Sequence, residues 1–230
     1  MTLKLAHFAV LVKWSVAKSA WKLRQWILRR RYSSAELTAL SKTFYESWIT
    51  GTDGLAKFGD HRDFACNHAL LRSQRIKSVL DVGCGDGRLL AQFRTLNRVG
   101  VDFCKLNLRL TKKRDNDIQV VLADVEHLPF VRGAFDLVTC FDVLEHVLNP
   151  DRVYKEAEQM AKTYVYFTTD YDGVFSPVLR SQLIDNSPPL RLMKKWKCRL
   201  TFFRMGKPTS LCMGLLFGSG VMGYKELKRT

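Results

Sequence analysis

The chain has 230 residues, which is long enough for one sizeable core. Of these residues 47% are hydrophobic and 26% are charged, a composition that is typical of globular proteins and excludes global disorder. The formal charge of +15 lies in two ranges, because residues 1–35 carry eight Lys/Arg without an acid, residues 186–230 carry ten Lys/Arg with one acid, and residues 36–185 carry 19 Lys/Arg against 21 Asp/Glu. This excludes a uniformly basic domain and predicts a near-neutral body whose two cationic ends meet a membrane surface or nucleic acid.

Residues 3–30 contain neither Pro nor Gly, and their apolar residues recur at helical spacing, which predicts a long helix. Tryptophans lie among its lysines, a composition typical of a helix at a lipid headgroup boundary: Trp14, Trp21 and Trp26. The alternatives are a helix packed on the protein's own core and, in a eukaryote, a mitochondrial targeting segment. We predict a basic amphipathic helical extension over residues 1–35 and a helical cap or lid over residues 36–75.

From Ile76 onward, short apolar runs alternate with helix-like segments. Strands are predicted at residues 78–82, 99–102, 119–123, 136–141 and 164–168. Helices are predicted at residues 88–95, 105–114 and 150–161. This alternation indicates an α/β domain over residues 76–230, with a doubly wound, mostly parallel sheet.

The basic C-terminal segment predicts one more helix and a hairpin. Residues 190–196 favour a short helix, and strands at residues 198–204 and 210–217 flank Gly206-Lys207-Pro208. Residues 225–229 are then expected to form a solvated tail.

The six cysteines are scattered without a CxxC pair, which predicts reduced thiols and no metal site. No charge-free apolar run of 18 residues occurs, so no spanning helix is predicted. We expect an intracellular protein, either cytoplasmic or peripheral on a membrane.

The strongest local motif is VLDVGCGDGRLL at residues 79–90, an apolar strand followed by a glycine-rich turn. Its spacing is GxGxG rather than the GxGxxG of dinucleotide sites. Asp81 and Asp86 would repel a pyrophosphate and attract a ligand with an ammonium and a sulfonium, such as S-adenosylmethionine. Asp102 and Asp124 end the next two strands, at the carboxyl edge where open α/β sheets bind ligands. For Asp124, a helix cap or turn residue is the alternative.

Residues 79–150 resemble the core of class I S-adenosylmethionine-dependent methyltransferases, and in particular the small-molecule branch with the ubiquinone and menaquinone biosynthesis enzymes. The matching motifs are VLDVGCGDGRLL, VGVDF, VLADVEHLPF and FDLVTCFDVLEHVLNP. The resemblance implies a Rossmann-like, seven-stranded sheet and S-adenosylmethionine as cofactor. The chain departs from the family pattern at Cys104-Lys105 and at residues 161–163, where Ser-Pro and Pro-Gly-Gly are usual.

The resemblance also implies a role for each matched residue. Asp81 and the backbone of Gly83, Cys84, Gly85 and Phe141 would hold the methionine part of the cofactor. Asp102 would bind the ribose hydroxyls, while Phe103, Asp124 and the amide of Val125 would contact the adenine. His146 would lie on the substrate side. A general base helps if the acceptor is a phenol or an activated carbon acid, and His146 is then the best-placed candidate; a structural His is the alternative.

These expectations favour methyl transfer to a small, hydrophobic or membrane-associated acceptor. The basic helix and the basic C-terminal segment would meet an anionic membrane surface. The alternatives are an RNA methyltransferase, disfavoured because residues 36–185 carry a net charge of −2, and a cofactor-binding partner protein without activity. The acceptor atom and the oligomeric state stay open.

Overall fold

A computed structural model describes residues 23, 26–37, 39–40, 43, 76–170, 196–204 and 219–227. Residues 23 and 26–31 are helical, as are residues 34–37, 39, 40 and 43. Residues 1–22, 24 and 25 of the predicted basic extension lie outside the described part. So do residues 38, 41, 42 and 44–75 of the predicted cap and residues 190–195 of the predicted C-terminal helix.

The predicted basic helix ends at Arg31, one residue beyond its predicted end, and Ser33 begins a new helix. The Ser33 N–H and hydroxyl both donate to the Glu36 carboxylate at 2.7 Å, and the Glu36 N–H donates back to the Ser33 hydroxyl at 3.3 Å. These reciprocal bonds form a capping box. Leu37 in this second helix is buried.

Among the described residues, seven strands form one sheet in the order β3-β2-β1-β4-β5-β7-β6. Their bounds are β1 (Ser78–Val82), β2 (Asn97–Asp102), β3 (Gln119–Leu122), β4 (Phe135–Phe141), β5 (Ala161–Asp170), β6 (Arg199–Arg204) and β7 (Ser219–Glu226). The first five strands pair in parallel, and β7 is antiparallel to both β5 and β6. The predicted doubly wound, mostly parallel sheet with an antiparallel C-terminal pair is therefore confirmed.

In the described part of the chain, two α-helices lie between these strands: α1 (Lys105–Arg114) and α2 (Pro150–Met160). Asn149 caps α2 by accepting a hydrogen bond from the Arg152 N–H at 3.1 Å, and Pro150 takes the first helical position, where its missing N–H costs nothing. The helix predicted at residues 88–95 is wrong. A 3-10 helix, Leu90–Gln92, stands there, because the Gln92 and Phe93 N–H groups donate to the carbonyls of Leu89 and Leu90, three residues back rather than four.

Both faces of the sheet are covered, as the near-continuous apolar runs of its strands require. On one face, Leu80 and Val82 of β1 pack in a cluster with α2, and on the other Val79 packs in a cluster with α1 and the 3-10 helix. The helices of the first face contribute Val153, Tyr154, Ala157 and Met160, and those of the second contribute Leu90 and Leu108.

The position of the last strand differs from the prediction. The predicted strand at residues 210–217 lies outside the described residues, and the predicted solvated tail instead contributes to β7, where Tyr224 is buried and Lys225 contacts Glu158 at 2.5 Å. The ion pair is the physical reason that a lysine fits here. The sequence signal was weak because β7 is rich in glycine and charged residues.

Candidate functional site

The candidate site lies at the carboxyl edge of the sheet, where β1 separates β2 from β4. The strand order reverses direction at β1, and open α/β sheets bind ligands at this switch point. Asp81 lies near the end of β1 and Asp102 at the end of β2, while Asp124 follows β3. The topology thus brings the three predicted carboxylates to one edge of the sheet.

The turn after β1 is built from glycines in the left-handed region, with φ of +76° at Gly83 and +55° at Gly85. A Cβ on Gly83 would lie 2.4 Å from the Val143 side chain, so this glycine is required by space as well as by backbone conformation. The Gly83 and Cys84 N–H groups both donate to the Val101 carbonyl, at 2.8 and 2.9 Å. The turn is therefore fixed to the end of β2.

Asp81 is buried, and its Oδ1 accepts a hydrogen bond from the Thr139 hydroxyl at 2.8 Å. The register explains this contact, because Asp81 and Thr139 are directly paired between β1 and β4. A buried carboxylate beside a ligand site favours a cation.

Asp102 is also buried and holds the glycine turn in place. Its Oδ2 accepts from the Gly85 N–H at 2.9 Å and from Asn107 Nδ2 at 3.2 Å, and its Oδ1 accepts from the Cys104 N–H at 2.8 Å. The predicted ribose-binding residue is thus fixed in position by the protein, and the half-buried Phe103 follows it in the chain.

Asp124 forms a turn, which is the alternative role that the sequence predicted for this residue. Its Oδ1 accepts from the Glu126 N–H at 3.0 Å. The next residue, Val125, is buried in the core. Two contacts attach this loop to the start of α2, because Glu126 accepts from the Asn149 N–H at 3.2 Å and from Arg152 Nε at 2.8 Å.

The end of β4 contributes the residues predicted on the methionine and substrate sides. Phe141 is buried, and the next residue, Asp142, has φ of +57°, which is uncommon for a residue with a side chain. Asp142 Oδ1 accepts from the Thr168 hydroxyl at 3.0 Å. His146 ends the 3-10 helix Leu144–His146 and is half-buried.

Asp86 does not have the ligand-facing role that its place beside the glycine turn predicted. Arg114 contacts its carboxylate at 2.6 Å and Arg88 contacts it at 3.2 Å, and Arg114 Nε donates to the Asp86 carbonyl at 3.0 Å. The charge of Asp86 is compensated within the protein. Asp81 and Asp102 are therefore the carboxylates that disfavour a phosphate ligand at this edge of the sheet.

The Cys84 thiol lies between the site carboxylates and is almost completely buried. Burial raises its pKa well above the ordinary value, and the negative charges of Asp102 and Asp81 raise it further. Cys84 is therefore a protonated, space-filling thiol and not a nucleophile.

Sequence reasoning missed a polar stripe on α1 that holds the glycine turn. Asn107, Thr111 and Arg114 recur at helical spacing, and they contact Asp102, the Gly85 carbonyl (2.9 Å) and Asp86, respectively. A helix that covers a sheet normally presents an apolar stripe. Polar residues at positions i, i+4 and i+7 of a predicted covering helix were the signal that could have revealed this contact.

Residues 80–168 match a family model described as a methyltransferase domain. The chain is 35% identical over 117 residues to the ubiquinone biosynthesis O-methyltransferase of Chromobacterium violaceum, covering 46% of this chain and 49% of that protein. The enzyme of the same name from Acinetobacter baylyi is 30% identical over 103 residues, covering 40% and 43%. The chain thus matches about half the length of these curated relatives.

Solved structures share the fold. A Haloferax volcanii putative methyltransferase, in complex with the activator Trm112, has a TM-score of 0.64 at 16% identity over 83% of this chain and 99% of that one. The plantazolicin methyltransferase BpumL, in complex with SAH, has a TM-score of 0.57 at 13% identity over 81% and 90%. Residues 80–168 of this chain are therefore similar to a methyltransferase domain, and the sheet that contains them has the fold of these solved structures.

Proposed function

We propose that this protein transfers a methyl group from S-adenosylmethionine to a small, hydrophobic or membrane-associated acceptor. The observation that carries the proposal is the convergence of Asp81, Asp102 and the left-handed turn at Gly83 at the switch point of the sheet. The buried carboxylates suit the positive charges of the ligand. The backbone at Gly85, where a Cβ would meet nothing within 4 Å, leaves open space for the ligand to approach closely.

We propose the following roles for the residues around the cofactor. Asp81 and the turn of Gly83, Cys84 and Gly85 hold the methionine part, next to the backbone of Phe141. Asp102 binds the ribose, and the adenine lies among Phe103, Asp124 and Val125. When bound, S-adenosylmethionine supplies an electrophilic methyl group for direct displacement by the acceptor.

The chain's own contribution is then to position the two reactants. Fixed partners support this role, because Thr139 orients Asp81 and three donors orient Asp102. At His146, we propose general-base removal of the acceptor's proton. The curated relatives are named as ubiquinone biosynthesis O-methyltransferases, so a hydroxylated quinone precursor with an apolar tail is the first acceptor to test.

Asp102→Ala tests the cofactor assignment. We expect a roughly tenfold or greater loss of affinity for S-adenosylmethionine, because a hydrogen bond to a charged group contributes about 1.5–3 kcal/mol. Calorimetric titration of the purified proteins measures it. Asp136→Ala is a matched control, since Asp136 bonds to Lys77 and Ser78 at the opposite edge of the sheet. Equal affinities of the wild type and the Asp102 variant would contradict the assignment.

His146→Asn tests the general base. We expect kcat to fall about 10²–10⁴-fold with a hydroxylated acceptor, while the affinity for S-adenosylmethionine stays unchanged. An unchanged kcat would leave His146 only a structural role.

For the chain as a whole, we propose three parts: residues 1–35 as a membrane-binding extension, residues 36–75 as a helical cap, and residues 76–230 as the catalytic domain. Among the described residues, no helix has the length and apolar character to cross a membrane. A peripheral contact is supported by the exposed side chains of Leu23, Trp26 and Ile27, which share one helix face. Exposed arginines follow directly: Arg29, Arg30 and Arg31.

Sedimentation with vesicles tests this extension. We expect the full chain to bind vesicles rich in phosphatidylserine and not purely zwitterionic ones, because each basic residue near an anionic surface contributes about 1 kcal/mol. Trp26→Ser should weaken binding, whereas Val131→Ser, which alters another exposed apolar side chain, should not. Steeply salt-dependent binding to RNA with no vesicle binding would favour the RNA methyltransferase instead.

A further inference from the structure

Asn107 has a buried hydrogen-bond acceptor that the described protein leaves unused. It lies in the first turn of α1, and the residue is only 5% exposed. Its Nδ2 donates to Asp102 Oδ2 at 3.2 Å. Its Oδ1 has no hydrogen-bond partner among the residues that the structure describes.

The chemistry of Asp102 fixes which end of the amide is unused. A carboxylate only accepts hydrogen bonds, so the amide nitrogen must face it, and the reverse orientation would place two acceptors in contact. The unused atom is therefore the carbonyl oxygen. Burying an acceptor without a donor is unfavourable, and this oxygen belongs to the amide whose nitrogen bonds to Asp102, so a ligand group that binds at Asp102 can supply the missing donor.

We propose that Asn107 is a second ribose-recognition residue, which accepts a hydrogen bond from one hydroxyl of the ribose that Asp102 binds. This inference rests on the proposed function, since it requires an adenosine-containing ligand at Asp102. It makes the site selective for nucleosides with an intact 2′,3′-diol. A site that hydrogen-bonds a hydroxyl rejects the analogue that lacks it, because the acceptor is then left unpaired.

A purely structural role for Asn107 predicts a different result. If Asn107 only positions Asp102, then its loss weakens every ligand that Asp102 binds by the same factor. If Asn107 itself contacts a hydroxyl, then replacing Asn107 does not change the affinity for the analogue that lacks that hydroxyl. The two roles therefore separate in a double-mutant cycle between protein and ligand.

The experiment is calorimetric titration of wild type, Asn107→Leu and Asn107→Ala with S-adenosylhomocysteine and with its 2′-deoxy and 3′-deoxy analogues. We expect both variants to lose about three- to tenfold in affinity for S-adenosylhomocysteine, and to bind one of the two analogues as the wild type does. Thermal melting without ligand verifies that each variant is folded, and the alanine variant serves if leucine does not fit.

Two outcomes would overturn the inference. An equal loss of affinity for all three ligands would make Asn107 a positioning residue only, and no loss for any ligand would remove it from the site. If the wild type itself does not bind S-adenosylhomocysteine, then the proposed function fails as well. If the wild type binds it and Asp102→Ala weakens binding while the Asn107 variants do not, only the inference about Asn107 fails.

Discussion

Gly83 and Gly85 both adopt left-handed backbone conformations, but their surroundings differ. A Cβ on Gly83 would lie 2.4 Å from Val143, whereas a Cβ on Gly85 would meet nothing within 4 Å. Substitutions at these two glycines therefore distinguish the free-energy cost of the left-handed backbone conformation from that of a steric clash.

We predict that Gly83→Ala destabilises the fold more than Gly85→Ala. Both pay about 1–2 kcal/mol for the left-handed conformation, and Gly83→Ala adds about 1–3 kcal/mol for the clash. The free energy of unfolding from urea denaturation measures the difference. Adding Val143→Ala to Gly83→Ala should remove part of the extra cost, and equal destabilisation by the two glycine variants would contradict the prediction.

Single residues also show how far the sequence predicts this site. The sequence predicted Asp81, Asp102 and Asp124 at one edge of the sheet, and they lie there in the structure, because residues that end parallel strands must share one edge. Asp86 was misjudged because its partner Arg114 lies 28 residues further along the chain. Such a contact depends on where α1 packs, and strand and turn patterns carry no information about that.

At the scale of elements, the sequence predicted the bounds of the apolar strands to within three residues. It failed where local hydrogen bonds decide the type of a helix or the residue at which it begins. The strand at Ser78–Val82 and the helix at Lys105–Arg114 have the predicted bounds. The 3-10 helix after Arg88 and the helix start at Ser33 were missed. Periodicity identifies which face of an element is apolar, but hydrogen bonds such as those of Ser33 decide where it begins.

We predict that the capping box at Ser33 depends on pH. Hydrogen bonds from the Ser33 hydroxyl and N–H lower the pKa of Glu36 below its ordinary value. The stabilisation is therefore complete above that ordinary value, and it is lost as the pH falls through the lowered pKa. Titration of Glu36 by NMR measures the shift, and Ser33→Ala should return the pKa toward the ordinary value. A pKa unchanged by this substitution would speak against the capping box.

At the scale of the whole molecule, an aromatic cluster attaches the segment before β6 to the domain. The Trp196 ring stacks on Tyr154 of α2 at 4.2 Å between ring centres, and its Nε1 donates to Asp151 at 2.8 Å. Trp196 is buried. Burial and the neighbouring Glu158 raise the pKa of Tyr154, so its hydroxyl stays a donor to Glu158 at 2.7 Å.

We predict that Trp196→Ala lowers the free energy of unfolding by about 3–5 kcal/mol, because it leaves a cavity between α2 and the sheet. Trp196→Phe should cost only about 1–2 kcal/mol, since it keeps a stacked ring and loses the hydrogen bond to Asp151. Chemical denaturation of both variants tests this. If the alanine variant is as stable as the phenylalanine variant, then the stack with Tyr154 does not stabilise the fold.

The strand order has a consequence for biosynthesis. β7 lies between β5 and β6, so the long edge of β5 stays unpaired until the ribosome has made residues 219–226. An exposed strand edge is a template for pairing between chains. During translation, the nascent domain therefore carries an aggregation-prone edge over Ala161–Asp170 after the strands around the candidate site have been made. The dependence of the soluble yield on chaperones is the quantity that measures this exposure.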